Sequence, residues 1–284
     1  MPFKAIDIHP HVITTDEAKY PLAPLGGNQS LWSKERPVSA EQMVKAMDEA
    51  GIDKSAVVQA STCYGHDNAY LADSIAKYPK RFTGVCSVDV LADNGPERIR
   101  YWHLRGLRGL RLFTVGSTMT TQSTWLDDPR SVPSWERIAE LGWPMCLQVR
   151  IPGLAMVKTL VERFPSVRVI IDHLMGAEAD DGPPYAKAAP LFELVKYPNV
   201  HLKLTSNSVR AAKKGAATPE TFFAKVVGEF GSGRIAWGSN YPASTGSLKE
   251  ILDESKAALA FLPEKDQLNI FRRTAQKLYP VLAD

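Results

Sequence analysis

The chain has 284 residues, 44% hydrophobic and 23% charged, and its 34 Lys+Arg against 31 Asp+Glu leave a net charge of +3. That is ordinary globular material, too balanced in charge to imply a nucleic-acid or anionic-membrane partner. No apolar run reaches the ~20 residues that cross a bilayer, the opening MPFKAIDIHPH lacks a secretory apolar stretch, and Cys63, Cys86 and Cys146 outline neither a disulfide framework nor a metal knuckle. The expectation is a cytoplasmic enzyme.

Strand-like runs alternate with helix-like ones along the whole chain. Residues 5–13 (AIDIHPHVI) read as the first strand. Ser39 and Gln42 form a capping box for a helix that runs to Ala50 and stops at Gly51. Further strands are expected at 55–61, 81–90, 106–113 and 144–150. In 154–165 apolar residues recur at helical spacing until Pro165. Strands at 167–175 and 200–206 come next, then a helix start at Thr218-Pro219-Glu220, a strand at 234–242 and an apolar-striped helix at 247–262. Residues 264–279 read as an extra terminal helix packed outside the rest. Eight β–α units with no internal linker predict a single-domain α/β protein over 1–284, a (β/α)8 TIM barrel with a C-terminal helix. A doubly wound open sheet is the competing architecture. In a barrel the site lies at the C-terminal rim of the strands, which makes 12–38, 114–131 and 176–186 candidate lids.

Asp7, His9 and His11 alternate on the first strand, so the two imidazoles share a face and can take adjacent positions around one Zn²⁺-like ion. His173 ends the sixth strand. Strict alternation turns His173 toward the barrel and Asp172 toward the helices, which excludes Asp172 as a ligand. The eighth strand ends Trp237-Gly238-Ser239-Asn240-Tyr241-Pro242, next to the first in a closed ring. Arg111, Arg150 and Lys203 lie on strands or strand ends, where a charge is costly unless paired or functional. They either meet an anionic substrate or form internal ion pairs, with Asp7 or Asp89 as partners. There is no GxSxG, Walker or GxGxxG pattern, so neither a serine nucleophile on an elbow nor a nucleotide cofactor is expected. His103 and His201 receive no role.

DIHPH, DHLMG, LKLT and RIAWGSNYP occur in that order over nearly the whole length. In them the chain resembles the amidohydrolase superfamily, in the branch of metal-dependent decarboxylases and of sugar and 2-pyrone-4,6-dicarboxylate lactonases. Gln59 and the run STCYGHDN (61–68) resemble the second-strand loop of the lactonase subgroup. The resemblance implies that His9, His11 and His173 surround the reacting carbonyl, directly or through one divalent metal (Zn or Mn). Arg111, Arg150 and Lys203 would hold a substrate carboxylate, with Ser61 and Tyr64 lining the site. One departure matters. Where the family carries an aspartate that serves as general base, this chain has Asn240, which cannot take a proton at neutral pH. Loss of a base costs ~10²–10⁴-fold unless another group replaces it, and His66, Asp67 and His173 are the candidates. The expected activity is hydrolysis of a small carboxylate- or hydroxyl-bearing lactone. Alternatives are a metal-dependent non-oxidative decarboxylase and, because of Asn240, a catalytically impaired barrel that binds a ligand. The expected partner is an anionic or polyhydroxylated small molecule, without nucleic acid or membrane; a homo-oligomer stays open.

Overall fold

The computed structural model describes residues 3–116 and 121–283; part of the expected lid at 114–131 lies outside them. Eight parallel strands follow one another around a ring in chain order: β1 (Ala5–Asp7), β2 (Ile52–Val58), β3 (Phe82–Cys86), β4 (Leu107–Phe113), β5 (Met145–Gln148), β6 (Val169–Ile171), β7 (Val200–Thr205) and β8 (Ile235–Gly238). The ring closes where Ile8 N–H donates to the Trp237 carbonyl at 3.2 Å and Ser239 N–H donates to Asp7 Oδ1 at 2.8 Å. Sequential order with closure is the (β/α)8 barrel, and it excludes the open sheet, whose strand order reverses at a switch point.

Side-chain alternation sorts each strand into two faces. Val57, Leu110, Leu112, Leu147, Ile171 and Trp237 point outward into the large core shared with the helices. Ile6, Val58, Val85, Cys146, Ile170 and Ala236 fill the barrel interior. The helices form where their caps predict. Ser39 and Gln42 cap Ala40–Ala50 reciprocally, Gly51 takes the left-handed conformation (φ 72°) that ends it, and Ser247 with Glu250 repeats the box for Leu248–Ala258.

Two expectations need correction. The strands are shorter at their C-terminal ends than the apolar runs suggest, because 8–13, 87–90 and 239–242 leave the ladder to build the mouth. The C-terminal segment is also more than an external helix. It passes through a π-helical turn at Asn269–Arg273 into Thr274–Leu278, and Ala275, Leu278 and Tyr279 then join the interior cluster. The Tyr279 hydroxyl lies 3.5 Å from Cys146 Sγ, and a Cβ on Gly109 would stand only 3.1 Å from the Tyr279 ring. This tyrosine plugs the floor, so the opposite end is left for ligand. No helix among the described residues is long and apolar enough to cross a membrane.

Candidate active site

Three imidazoles meet at the C-terminal end of the strands. The His9 ring centroid lies 5.0 Å from that of His11 and 4.9 Å from that of His173. β1 ends at Asp7, whose Oδ1 accepts the backbone N–H of His9 at 2.9 Å as well as that of Ser239, so one carboxylate fixes the turn that presents His9. A Cβ on Gly238 would come within 2.6 Å of His9 Cβ. Gly238→Ala therefore displaces His9, and we expect a drop in turnover of about 10²-fold, the usual cost of ~1 Å misplacement at a reacting centre. Steady-state assay beside a circular-dichroism check of the fold reads it out.

His173 arrives by a different device. After β6 the backbone turns left-handed at His173 (φ 53°), Leu174 (φ 51°) and Met175 (φ 59°), three consecutive non-glycine residues in a region that costs about 1–3 kcal/mol each. Alternation stops there, so two consecutive side chains, Asp172 and His173, both point inward. This corrects the outward placement of Asp172. Its carboxylate is fully buried: Oδ2 accepts from Arg111 Nε at 2.8 Å, and Oδ1 stands 2.8 Å from Lys203 Nζ and 4.0 Å from His9 Nδ1. Arg111 Nη2 also donates to Gln148 Oε1 at 2.9 Å. Lys203 and Arg111 are thus paired with Asp172 rather than with Asp7 or Asp89, and Lys203, with no exposure, forms part of the floor beneath His9 instead of reaching a substrate.

Above this floor lies a cavity of about 260 Å³ lined by His11, His173, Asn240, Ser61, Arg111 and Asn207. Asn240 adopts φ 57°, a left-handed conformation that asparagine tolerates, and its Nδ2–H donates to Ser244 Oγ at 3.0 Å. A second cavity of about 540 Å³ shares Gln148, His173 and Asn207 with the first and adds Arg150, Ser208 and Lys214. The Ser208 hydroxyl is buried with no partner among the described residues. Other expected residues do not join the imidazoles. Tyr64 is buried with its hydroxyl bonded to the backbone of Thr14, so it braces the first loop. Asp67 is exposed and its Oδ1 accepts the Ala69 N–H at the start of the next helix. His66 bonds Ser87 Oγ at 2.9 Å and lines a neighbouring cavity. Sequence reading missed Gln148, Ser208, Lys214 and Gly238; only Gln148, at the end of an inward-facing register on β5, carried a readable signal.

The electrostatics are one-sided. Burial, then the cations Lys203 and Arg111, hold His9 well below its ordinary value. Burial and Arg111 push His11 down to about 3, and burial pushes His173 down to about 4 against the opposing pull of Asp172. Burial by itself would raise the Asp172 carboxyl, but Lys203 and then Arg111 outweigh it and hold Asp172 well below the carboxylate range. Asp7 is the exception: burial pushes it up to about 6 despite its hydrogen bonds from Ser239 and His9. All three imidazoles are therefore neutral at pH 7. His11 Nδ1–H donates to the Val58 carbonyl at 2.8 Å, which leaves a bare lone pair on Nε2. His173 Nδ1 shares a hydrogen bond with Thr205 Oγ1 at 2.8 Å, and neither ring nitrogen of His9 has a hydrogen-bond partner among the described residues.

Neutral, orphaned or lone-pair-bearing imidazoles beside a carboxylate suit a divalent cation, since no proton has to be displaced. His9, Asp172 and His173 each offer a donor atom, all within 4.8 Å of one another. The donor chemistry fits a metal.

The family model described as "Amidohydrolase" matches residues 6–281. L-fucono-1,5-lactonase from Burkholderia ambifaria is 24% identical over 221 residues, covering 76% of this chain and 74% of that one. The crystal structure of a putative 2-pyrone-4,6-dicarboxylic acid hydrolase from Pseudomonas putida superposes with a TM-score of 0.79 at 20% identity, over 100% of both chains. An amidohydrolase from Burkholderia multivorans with bound zinc gives a TM-score of 0.77 at 20% identity, over 98% of this chain and 99% of that one.

Proposed function

The chain belongs to the amidohydrolase family, and from that premise we propose that it is a hydrolase that opens a small lactone carrying a carboxylate or hydroxyl groups. The observation that carries the reading is the meeting of three neutral imidazoles, with centroids 4.9–5.0 Å from that of His9, over an Arg111–Asp172–Lys203 floor. Similarity to a fucono-lactonase and a pyrone-dicarboxylate hydrolase supports lactones over other esters.

In this reading the lactone carbonyl sits among His9, His11 and His173. A neutral imidazole has one N–H, and His9, whose nitrogens lack partners, donates it to the carbonyl oxygen as negative charge develops there. His173, half-buried and open to the mouth, receives the proton of the attacking water as the water oxygen bonds the carbonyl carbon, and returns it to the ring oxygen as the ring C–O bond breaks, which leaves a hydroxy acid. Its resting proton affinity is low, but an oxyanion forming beside it raises that affinity as the bond forms. Asp67 and His66 drop out as bases because their placement ties them elsewhere. Asn240 positions the water or a substrate hydroxyl, and Arg150, Lys214 and the unpartnered Ser208 hydroxyl receive the substrate's carboxylate or hydroxyls in the polar lobe. Members of this family usually depend on a metal. His9, His173 and Asp172, with the His11 ring beside them, would hold Zn²⁺ or Mn²⁺, which would then supply Lewis acidity at the carbonyl in place of the His9 N–H. Three free, buried cysteines accord with a reducing cytoplasm.

The test is acid release in a pH-stat from carboxylated δ-lactones, with chelated protein and with protein loaded with Zn²⁺ or Mn²⁺. Turnover is expected, and none in any state would reject the hydrolase. The Asn240→Asp variant should be slower than the wild type by about tenfold, since a carboxylate cannot reproduce the amide N–H to Ser244. Activity gained from zero in this variant would instead support the impaired, ligand-binding barrel.

A further inference from the structure

A third cavity opens off the imidazole chamber, and its chemistry differs from the other two. It measures about 330 Å³ and is lined by Leu25, Val88, Leu91, Phe113 and Trp125, with Arg111 and Phe113 shared with the chamber. Its wall carries few polar groups, and these are in part already engaged. His66 Nδ1 is bonded to Ser87, and the exposed Asp89 at the rim accepts the Leu91 N–H through Oδ1. Arg111 lies over the Phe113 ring, 5.3 Å from its centroid, and spends its Nε and Nη2 on Asp172 and Gln148. A second carboxylate or a run of hydroxyls placed there would leave water for a mostly apolar wall with too few polar groups to receive them all, which costs free energy for each group left unpaired. Across the chamber the lobe with Arg150, Ser208 and Lys214 is polar. The two sides of the site want opposite things.

We propose that the substrate is amphiphilic: its ring carries, on the side away from the polar lobe, an apolar limb the size of a butyl or phenyl group that packs against Leu25, Val88, Leu91, Phe113 and Trp125. This rests on the lactone reading above and narrows it, because it disfavours both a dicarboxylate and a polyhydroxylated sugar lactone as the best substrate. Each methylene added to the limb should raise kcat/KM about fourfold until the cavity is filled. A polyhydroxylated lactone should lag the butyl compound by up to about 10²-fold.

The experiment compares δ-lactones with one carboxylate and hydrogen, ethyl, butyl or phenyl at the ring carbon opposite it. In the wild-type protein kcat/KM should climb along the alkyl series. Leu91 is partly exposed, so Leu91→Glu tolerates the charge and should flatten the series, read as the ratio of butyl to unsubstituted compound within the variant. A flat wild-type series, or a variant that keeps the wild-type slope, would overturn the proposal. The corresponding lactams, titrated by calorimetry, separate this inference from the reaction itself. Should no lactone turn over, lactam Kd that tightens with limb length still supports the apolar subsite, and lactams that bind equally or not at all overturn it.

Discussion

Replacing Asp172 with alanine should cost the folded protein about 3–5 kcal/mol, the usual penalty for removing one partner of a fully buried charge pair. The effect is large because a single carboxylate answers two cations. Lys203 Nζ and Arg111 Nε each stand 2.8 Å from it, and Lys203 has no exposed surface through which water could substitute. Set against a typical total of about 5–15 kcal/mol, the loss is a large fraction of the stability of the barrel. Asp172→Asn keeps the shape and one acceptor, so it should be milder but still cost about 2 kcal/mol or more. Urea titration of the purified variants decides it. An unfolding free energy within about 1 kcal/mol of wild type would mean that the two cations find other partners. The ion-pair floor also has a chemical consequence. Burial first, and then Lys203 and Arg111, keep the imidazoles above them unprotonated, and Asp172 allows those cations to stay in the barrel.

His9→Ala should lower kcat/KM by about 10²–10³-fold, the range for removing one donor to a developing oxyanion, while leaving secondary structure in place. Stability and activity separate here. His9 contributes neither nitrogen to the hydrogen-bonded framework, whereas its backbone N–H, which alanine retains, is the group bonded to Asp7. His11→Ala, by contrast, strips the donor from the Val58 carbonyl and should be destabilising as well as slow. Parallel kinetics and thermal melts on the two variants distinguish an acting imidazole from a bracing one. Full activity in His9→Ala would remove it from the chemistry.

Much of the barrel was readable because its signals are local. Eight apolar runs at regular spacing, the capping box at Ser39, the apolar stripe of 247–262 and the glycine at position 51 each speak for their own few residues, and the structure agrees with them. The meeting of His9, His11 and His173 followed from strand order plus the rule that barrels work at their C-terminal rim. What failed depended on where a local rule stops applying. Alternation assigned Asp172 to the helices, but counted from Ile170, which faces the interior, position 172 faces inward too, and the left-handed turn that begins at His173 brings the next side chain round to the same side. Tyr64 and Asp67 sit in a run that resembles a site loop, yet one braces Thr14 and the other starts a helix, and residue type cannot tell a bracing hydroxyl from a binding one. Ser208, Lys214 and the Tyr279 plug were illegible because each acquires its meaning from segments far away in the chain.

The neutrality of the imidazoles has a measurable sign. A histidine whose folded pKa lies below the unfolded value of about 6.5 binds fewer protons when folded, so it adds stability above that pH and loses it as the pH falls toward the folded value. For His11 and His173 that window runs from about 6.5 down to about 3 and about 4. Side-chain ¹⁵N NMR of metal-free protein, titrated from pH 8 to pH 5.5, reads the same property directly. The expected spectrum keeps His9, His11 and His173 in their neutral forms throughout, with His11 protonated on Nδ1 alone. Protonation of any of the three near pH 6.5 would contradict a mouth built from neutral imidazoles.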